Sequence, residues 1–166
     1  PMYLLTLGTL ELLDSQGGKP ILSAGKPLAI LAYLATSERD GASREMLLDL
    51  LWDNLPPDRG RHALRQTLHP ISRPTGYDPF VTHPNLVKLE TPIDSDRNDF
   101  VAAVRQSDSG AAMSLYQGPF LGDLALPGGQ QFEQWGLGER TRLHHLWRGV
   151  TEAAVTDLLT AGDPAT

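Results

Sequence analysis

One segment of the chain concentrates side chains that are suited to reading DNA bases. Between Arg59 and Tyr77 there is no acidic residue, although the whole chain carries a net charge of -6. The basic and histidine residues of this segment are Arg59, Arg61, His62, Arg65, His69 and Arg73. Arginine suits bidentate contact with guanine, and glutamine, here Gln66, suits adenine. The segment therefore has the chemistry of a major-groove contact, although arginine-bearing helix faces are also common as plain solvated surface.

Apolar spacing places these side chains on one side of a helix. Leu64, Leu68 and Ile71 follow one another at i, i+4 and i+7, which predicts the buried side. The outer side then carries Arg61, His62, Arg65, Gln66 and His69. Asp58 is the predicted N-cap of this helix. Pro70 predicts an end or a kink near His69, because an interior proline removes a backbone hydrogen bond.

Other chemistries are not predicted. The chain has no cysteine, which excludes disulfides, thiolate metal sites and cysteine nucleophiles. Residues 94–98 imitate the start of a calcium loop, but Asp99 stands where that loop needs glycine and Arg105 where it needs glutamate. We instead expect these acidic residues in the first turn of a helix, where they complement the helix dipole.

The histidines also fail to form a metal-binding pattern. They include two pairs, His62 with His69 and His144 with His145. Neither pair has a third ligand at a suitable spacing. Nucleotide-binding loops and the hydrolase and metalloprotease motifs are missing, and the carboxylates of the second half are dispersed. Neither an enzyme, nor a metal site, nor a cofactor is predicted.

The elements before the basic helix are typical of a small α+β domain. Residues 3–14 and 20–22 predict two or three short strands joined by glycine-containing turns. A helix is predicted from Pro27 to Ala35, followed by a second helix from Arg44 to Trp52. Ser43 is the predicted N-cap of the second helix.

Two strands are predicted after the basic helix, at residues 80–82 and 86–90, on either side of the turn His83-Pro84-Asn85. Strands, three helices and a hairpin follow one another in the order of a winged helix-turn-helix. We therefore predict an α+β N-terminal winged helix-turn-helix domain over residues 1–92, with a short N-terminal sheet, three helices and a C-terminal hairpin wing.

Thr91-Pro92 is the predicted boundary, and an all-α helical domain is predicted over residues 93–166. Its helices are expected at 96–106, 110–116 and 130–160. The last has an apolar stripe made of Leu143, Leu146, Trp147, Val150, Ala154 and Leu158. Residues 1–90 carry nine Lys or Arg against ten Asp or Glu, and residues 91–166 carry five against ten. The helical part is therefore the acidic one.

The longest apolar run, Leu28 to Ala35, is eight residues, whereas a membrane helix needs about 20. No basic and apolar signal segment opens the chain. The sequence thus predicts a protein of the cytoplasm, associated with the nucleoid and without a membrane partner.

Several segments resemble the Streptomyces antibiotic regulatory proteins. The segments similar to the DNA-binding half of that family are Leu4 to Leu12, Lys26 to Ala35, Ser43 to Trp52 and Ala63 to Leu68. The second half is similar to the start of the family's bacterial transcriptional activator domain. That similarity comprises Ile93-Asp94 followed by Phe100, the run Leu115 to Leu121, Trp135, and the run Glu139 to Leu143.

The resemblance implies that the third helix and the wing bind duplex promoter DNA. It also implies that the acidic helical part contacts RNA polymerase, another regulator domain or a second copy of the chain. Further repeat-like helices would follow in the family, so the second domain is expected to be incomplete at Thr166.

We predict a transcriptional regulator in which Arg61, Arg65, Gln66 and His69 contact bases or the groove, and His62 lies on the same face. The predicted phosphate contacts are Arg59, Arg73, Thr82 and Lys88. Because the first half is nearly neutral, specific binding is expected to need a homodimer on repeated half-sites. The alternative is a protein-interaction module that keeps the winged-helix shape and has lost DNA binding, which Pro70 and the weak basicity favour.

Overall fold

The computed structural model describes residues 2–14, 18–69, 79–123 and 128–162. An N-terminal sheet begins the fold, with β1 (Met2–Leu5), β2 (Glu11–Asp14) and β3 (Pro20–Leu22) joined as antiparallel neighbours. A short fourth strand pairs with β1 in parallel and comes from the second half of the chain. The predicted N-terminal strands are confirmed.

Two helices then form the first part of the helix-turn-helix. Helix α1 (Lys26–Thr36) starts with a proline in its first turn, and its residues Leu28 to Leu34 are all buried. Strand β4 (Ala42–Ser43) leads into α2 (Arg44–Leu51). The Ser43 hydroxyl accepts a hydrogen bond from the Met46 amide at 3.0 Å, so the predicted N-cap is confirmed.

Helix α3 (Pro57–Leu68) is the predicted basic helix and ends at His69, as expected. Its predicted N-cap was wrong: Pro56 occupies the cap position without a side-chain hydrogen bond, and Asp58 lies inside the first turn. The reason is that Pro57 already has the backbone angle of a first helical residue and starts the helix earlier. Ile71 lies outside the described residues, so the third position of the apolar spacing is not seen.

The predicted hairpin is confirmed as β5 (Phe80–Thr82) and β6 (Leu86–Leu89), which pair antiparallel. Strand β4 pairs with the other edge of β6, which gives the strand order β4-β6-β5. The first half is therefore a winged helix-turn-helix, with the hairpin as its wing.

The second half is mainly helical, as predicted. Strand β7 (Asp94–Ser95) pairs with β1, and α4 (Asp96–Arg105) follows with Ser95 as its N-cap. Helices α5 (Ser109–Leu115) and α6 (Gln130–Ala161) complete the described part. Strand β7 is an addition to the all-α expectation, since two polar residues carry no strand periodicity.

Residues of the α4 N-terminus and a later turn attach the helical part to the N-terminal sheet. The Asp96 carboxylate is buried and accepts hydrogen bonds from the Thr6 amide and hydroxyl, both at 2.7 Å, and from the Leu7 amide at 3.0 Å. Burial raises the pKa of Asp96, and these hydrogen bonds oppose that rise. The Leu121 amide donates to the Thr6 carbonyl at 2.6 Å. A continuous core crosses the predicted boundary near Pro92, with Leu4, Phe100 and Phe120 among its members.

Aromatic and leucine residues at helical spacing usually pack in a core, so the sequence predicts buried positions for Leu51, Trp52, Leu64, Leu68, Trp135 and Trp147. This prediction is confirmed in part. Leu51, Trp52 and Leu64 are buried, whereas Leu68, Trp135 and Trp147 are half-buried against the core. The apolar stripe of α6 packs only in its first part: Leu143 is buried, but Leu158 is 74% exposed. Within the described ranges, no helix is both long and apolar enough to cross a membrane.

Candidate nucleic-acid interface

Helix α3 presents the predicted residues on its outer side. The side chains of Arg61, His62, Arg65, Gln66 and His69 are all exposed. At 100° per residue they span an arc of about 140° of the helix circumference. Leu64, on the inner side, is only 1% exposed and anchors the helix in the core. The amphipathic pattern in the sequence therefore corresponds to a helix with one side exposed to solvent.

Close packing of α3 on α2 holds that side in place. Gly60 is buried, and a Cβ atom built there would lie 3.2 Å from the Leu48 Cδ2 atom and 3.7 Å from the Trp52 Cβ atom. A residue with a Cβ atom at position 60 would therefore be in tight contact with the Leu48 side chain, which would have to shift. Because Gly60 has no side chain, α3 packs closely against α2, and the arginines of α3 point away from the body of the protein.

Arg61 is partly neutralised within the same helix. Its Nη2 atom lies 2.5 Å from the Asp58 Oδ1 atom, one turn earlier, and the two side chains are 57% and 95% exposed. An exposed pair of this kind contributes little to stability. Arg59 and Arg65 form no ion pair with any described residue, so they carry uncompensated positive charge at this surface.

The wing places its predicted residues in different settings. Thr82 is exposed at the end of β5, beside the turn that contains His83 and Asn85. Lys88 is half-buried and lines a cleft together with Glu38, Asp40 and Glu90. Thr82 is thus open to a ligand, whereas Lys88 lies next to carboxylates. Arg73 lies outside the described residues.

An acidic stripe flanks the basic side of α3, and sequence reasoning missed it. Glu45, Asp49 and Asp53 are exposed and line a groove between α2 and α3. Residues spaced by four fall along one line of a helix, so the signal was present in the sequence. These carboxylates limit the positive surface to α3 and the residues beside it.

A cation contact also went unpredicted at the start of α1. The Lys26 ammonium lies 4.8 Å from the centre of the Trp52 ring. Burial lowers the pKa of Lys26, and Asp53 acts in the opposite direction. The contact fixes the N-terminus of α1 against the end of α2.

Metal chemistry finds no support in the described part of the chain, where no group of three or more His, Asp or Glu side chains could hold a metal ion. Of the acidic residues predicted for the first turn of a helix, Asp96 and Asp99 lie in the first turn of α4, but the prediction was wrong for Asp94, which lies in β7. The Asp96 and Asp99 carboxylates are held by hydrogen bonds from Thr6, Leu7 and Tyr3.

Comparison with known proteins finds a similar solved structure. No family model matches the chain, and no curated protein matches it. A solved structure of Mycobacterium tuberculosis EmbR, in complex with a low-affinity phosphopeptide, is similar with a TM-score of 0.65 at 21% sequence identity. The match covers 96% of this chain and 49% of that chain, so this chain spans about half the length of EmbR. Both parts of the architecture described above therefore occur together in a known structure.

Proposed function

We propose that the chain is the DNA-binding part of a transcriptional regulator, and that α3 enters the major groove of a duplex. The observation that carries this proposal is the exposed outer side of α3, with Arg61, Arg65 and Gln66 on a helix whose inner side is buried. The EmbR match supports the fold, and the resemblance of the sequence to Streptomyces antibiotic regulatory proteins supports this use of it.

The dimensions of α3 suit such a contact. Its 12 residues span about 18 Å, and the major groove is about 12 Å wide and admits a helix. Arg65 and Gln66 lie in the C-terminal half of the helix and would read base edges, with His69 beside them. Arg61 and His62 would lie one turn earlier on the same side.

The predicted phosphate contacts are Arg59 at the start of α3, Thr82 and Lys88 on the wing, and Arg73. Of these, Arg59 and Thr82 are exposed in the structure and open to a backbone contact. Phosphate contacts of this kind fix the position of a protein on DNA without reading its sequence.

The charge pattern predicts modest affinity for DNA in general. Asp58 neutralises part of the charge of Arg61, and the acidic stripe on α2 repels the phosphate backbone. Specific binding is therefore expected to use two copies on repeated half-sites. The acidic helical part would contact RNA polymerase, another regulator domain or a second copy.

A selection from a random duplex pool, followed by a salt titration, tests the proposal. We expect a preferred sequence, and an affinity that falls with salt at a slope of about -0.9 per phosphate neutralised. Replacing Arg65 by alanine should cost about 1–3 kcal/mol on the preferred duplex and relax its sequence preference.

The matched control is Arg148→Ala on α6, another exposed arginine that forms no ion pair with a described residue. Equal affinities of the two variants, or the absence of any bound duplex at low salt, would contradict the proposal.

A protein-interaction module is the second candidate. The acidic stripe on α2 and the Asp58–Arg61 pair favour it, since both weaken attraction to DNA. Its test is the same selection, because a module of this kind gives no preferred duplex at any salt concentration.

A further inference from the structure

The segment between α1 and β4, residues 37–41, lies where the helical part meets the winged helix. Glu38 in this segment accepts a hydrogen bond at 3.3 Å from Nη1 of Arg97, which belongs to the first turn of α4. The same guanidinium donates through Nη2 to Oε2 of Glu139 on α6, at 3.2 Å. One arginine thus joins three separate elements of the fold.

Burial makes this contact different from an ordinary surface ion pair. The Arg97 side chain is 3% exposed, whereas that of Glu139 is 20% and that of Glu38 is 58% exposed. A buried guanidinium needs its partners, because the charge has lost its hydration. Glu38 and Glu139 therefore fix the position of Arg97, and Arg97 in turn holds the segment that carries Glu38.

A second side chain of α4 contacts the end of α1 just before this segment. The Asn98 side-chain amide donates to the Ala35 carbonyl at the end of α1, at 2.9 Å. Glu38 itself has a left-handed backbone with φ of 59°, a conformation that residues with a Cβ rarely adopt. The left-handed turn at Glu38 thus lies directly after the Asn98 contact and carries the carboxylate that pairs with Arg97.

The other end of the segment is attached to the wing and to α2. Ala42 and Ser43 pair with Val87 and Leu86 of β6, and the Arg44 amide donates to the Asn85 carbonyl at 3.1 Å. A Cβ atom at Gly41 would lie 2.9 Å from the Val87 carbonyl oxygen, so the backbones are in close contact. A shift of residues 37–41 is therefore passed to the wing through β4.

We propose that Glu38 is a positioning residue, through which Arg97 and Glu139 of the helical part set the placement of the wing relative to α3. The inference rests on the proposed function in one respect, since it assigns the wing a role in DNA contact. A partner that engages α6 near Glu139 would then alter DNA binding through this connection.

The test compares Glu38→Ala with Asp40→Ala in the full chain. Both variants remove one exposed carboxylate from the same segment, but Asp40 forms no ion pair with a described residue. If the only effect were the loss of one negative charge near DNA, the affinity for DNA would rise equally in the two variants. We expect Glu38→Ala to bind the selected duplex at least fivefold more weakly than Asp40→Ala, measured at a temperature well below the melting temperature of both variants.

Amide hydrogen exchange gives a readout that does not depend on DNA. The Arg44 amide, which donates to the wing turn, should exchange at least fivefold faster in Glu38→Ala than in Asp40→Ala. Glu139→Gln weakens the contact between α6 and Arg97, and it should also speed up the exchange of the Arg44 amide. Arg97 itself is left unchanged, because its substitution threatens the fold.

Equal exchange of the Arg44 amide in the Glu38 and Asp40 variants would overturn the inference. If the wild-type chain bound no duplex but the Arg44 amide responded as expected, the connection would stand and the proposed DNA-binding function would fail.

Discussion

Arginines in two regions of the molecule show how burial decides what a side chain can do. On α3, Arg61 is 57% exposed and its partner Asp58 is almost fully exposed, so the pair is hydrated. On α4, Arg97 is almost fully covered and lies between two carboxylates. The first arginine can exchange its partner for a phosphate or a base at small cost. The second cannot leave its partners without destabilising the fold.

Arg140 extends the comparison, since it also serves the structure. Its guanidinium donates to the Phe120 carbonyl at 2.9 and 3.1 Å and to the Gly122 carbonyl. These bonds hold the turn that packs on the β1–β2 connection. A Cβ atom at Gly118 in that turn would lie only 2.8 Å from the Gly8 Cα atom, so the two loops approach closely. Arg97 and Arg140 of the helical part thus make contacts within the fold, whereas the arginines of α3 face outward.

The largest effect is expected at the N-terminus of α4. Asp96→Ala leaves the buried Thr6 and Leu7 amides without their acceptor, which we expect to cost about 4 kcal/mol of unfolding free energy. Urea denaturation measures the difference. Asp99→Ala, which removes an exposed carboxylate from the same helical turn, should cost no more than about 1 kcal/mol. Similar losses of unfolding free energy in the two variants would contradict the distinction between the buried Asp96 and the exposed Asp99.

Alanine substitution of one buried and one exposed arginine separates their effects on stability. Arg97→Ala should lower the unfolding free energy by about 3 kcal/mol, because it removes a buried guanidinium together with its ion pairs to Glu38 and Glu139. Arg65→Ala should change it by less than about 0.5 kcal/mol, as expected of an exposed position. Denaturant unfolding of the two variants, followed by duplex binding of Arg65→Ala, measures both roles. A large stability loss for Arg65→Ala would contradict the comparison.

The pH dependence of stability tests the burial of Asp96 more finely. Burial raises the folded-state pKa of this carboxyl above its ordinary value of 3.8, so the folded state binds the proton more tightly than the unfolded state. The unfolding free energy of the wild type, relative to Asp96→Asn, should therefore fall as pH rises from 3.8 through the raised pKa. Above that pKa the difference should be constant. A difference that rises with pH in this range would show that the hydrogen bonds outweigh burial.

The smallest expected effect concerns the Asp58–Arg61 pair. Asp58→Asn frees the charge of Arg61 and should steepen the salt dependence of duplex binding by up to about 0.9 in slope. Asp53→Asn, just after the end of α2, is the control that removes a nearby charge without freeing an arginine. An unchanged slope in Asp58→Asn would indicate that the released charge of Arg61 makes no ionic contact with the duplex.

Sequence patterns predicted the periodic elements well and the long-range contacts poorly. The helices and the hairpin followed from apolar spacing and turn residues, and Ser43 was a correct cap because capping is a local interaction. Asp58 was wrongly placed as a cap, since Pro57 starts α3 earlier. The strands β4 and β7 have two residues each and carry no periodic signal.

In the candidate site too, the sequence predicted the local arrangement but not the long-range contacts. The outer side of α3 was correctly predicted to be exposed, because helical spacing decides which residues share a side. The attachment of Asp96 to Thr6 joins residues 90 positions apart, and no local pattern indicates it. The cleft around Lys88 likewise depends on the tertiary approach of α1 and the wing.

The most direct test of the central claim is a chemical-shift map of the backbone amides as the selected duplex is added to the chain. We predict that the shifted amides lie in residues 59–69 of α3 and around the wing turn at 82–86, with α6 unaffected on its exposed surface. Shifts concentrated on α6, with α3 unchanged, would contradict the account, because the duplex would then bind away from the arginine-bearing helix.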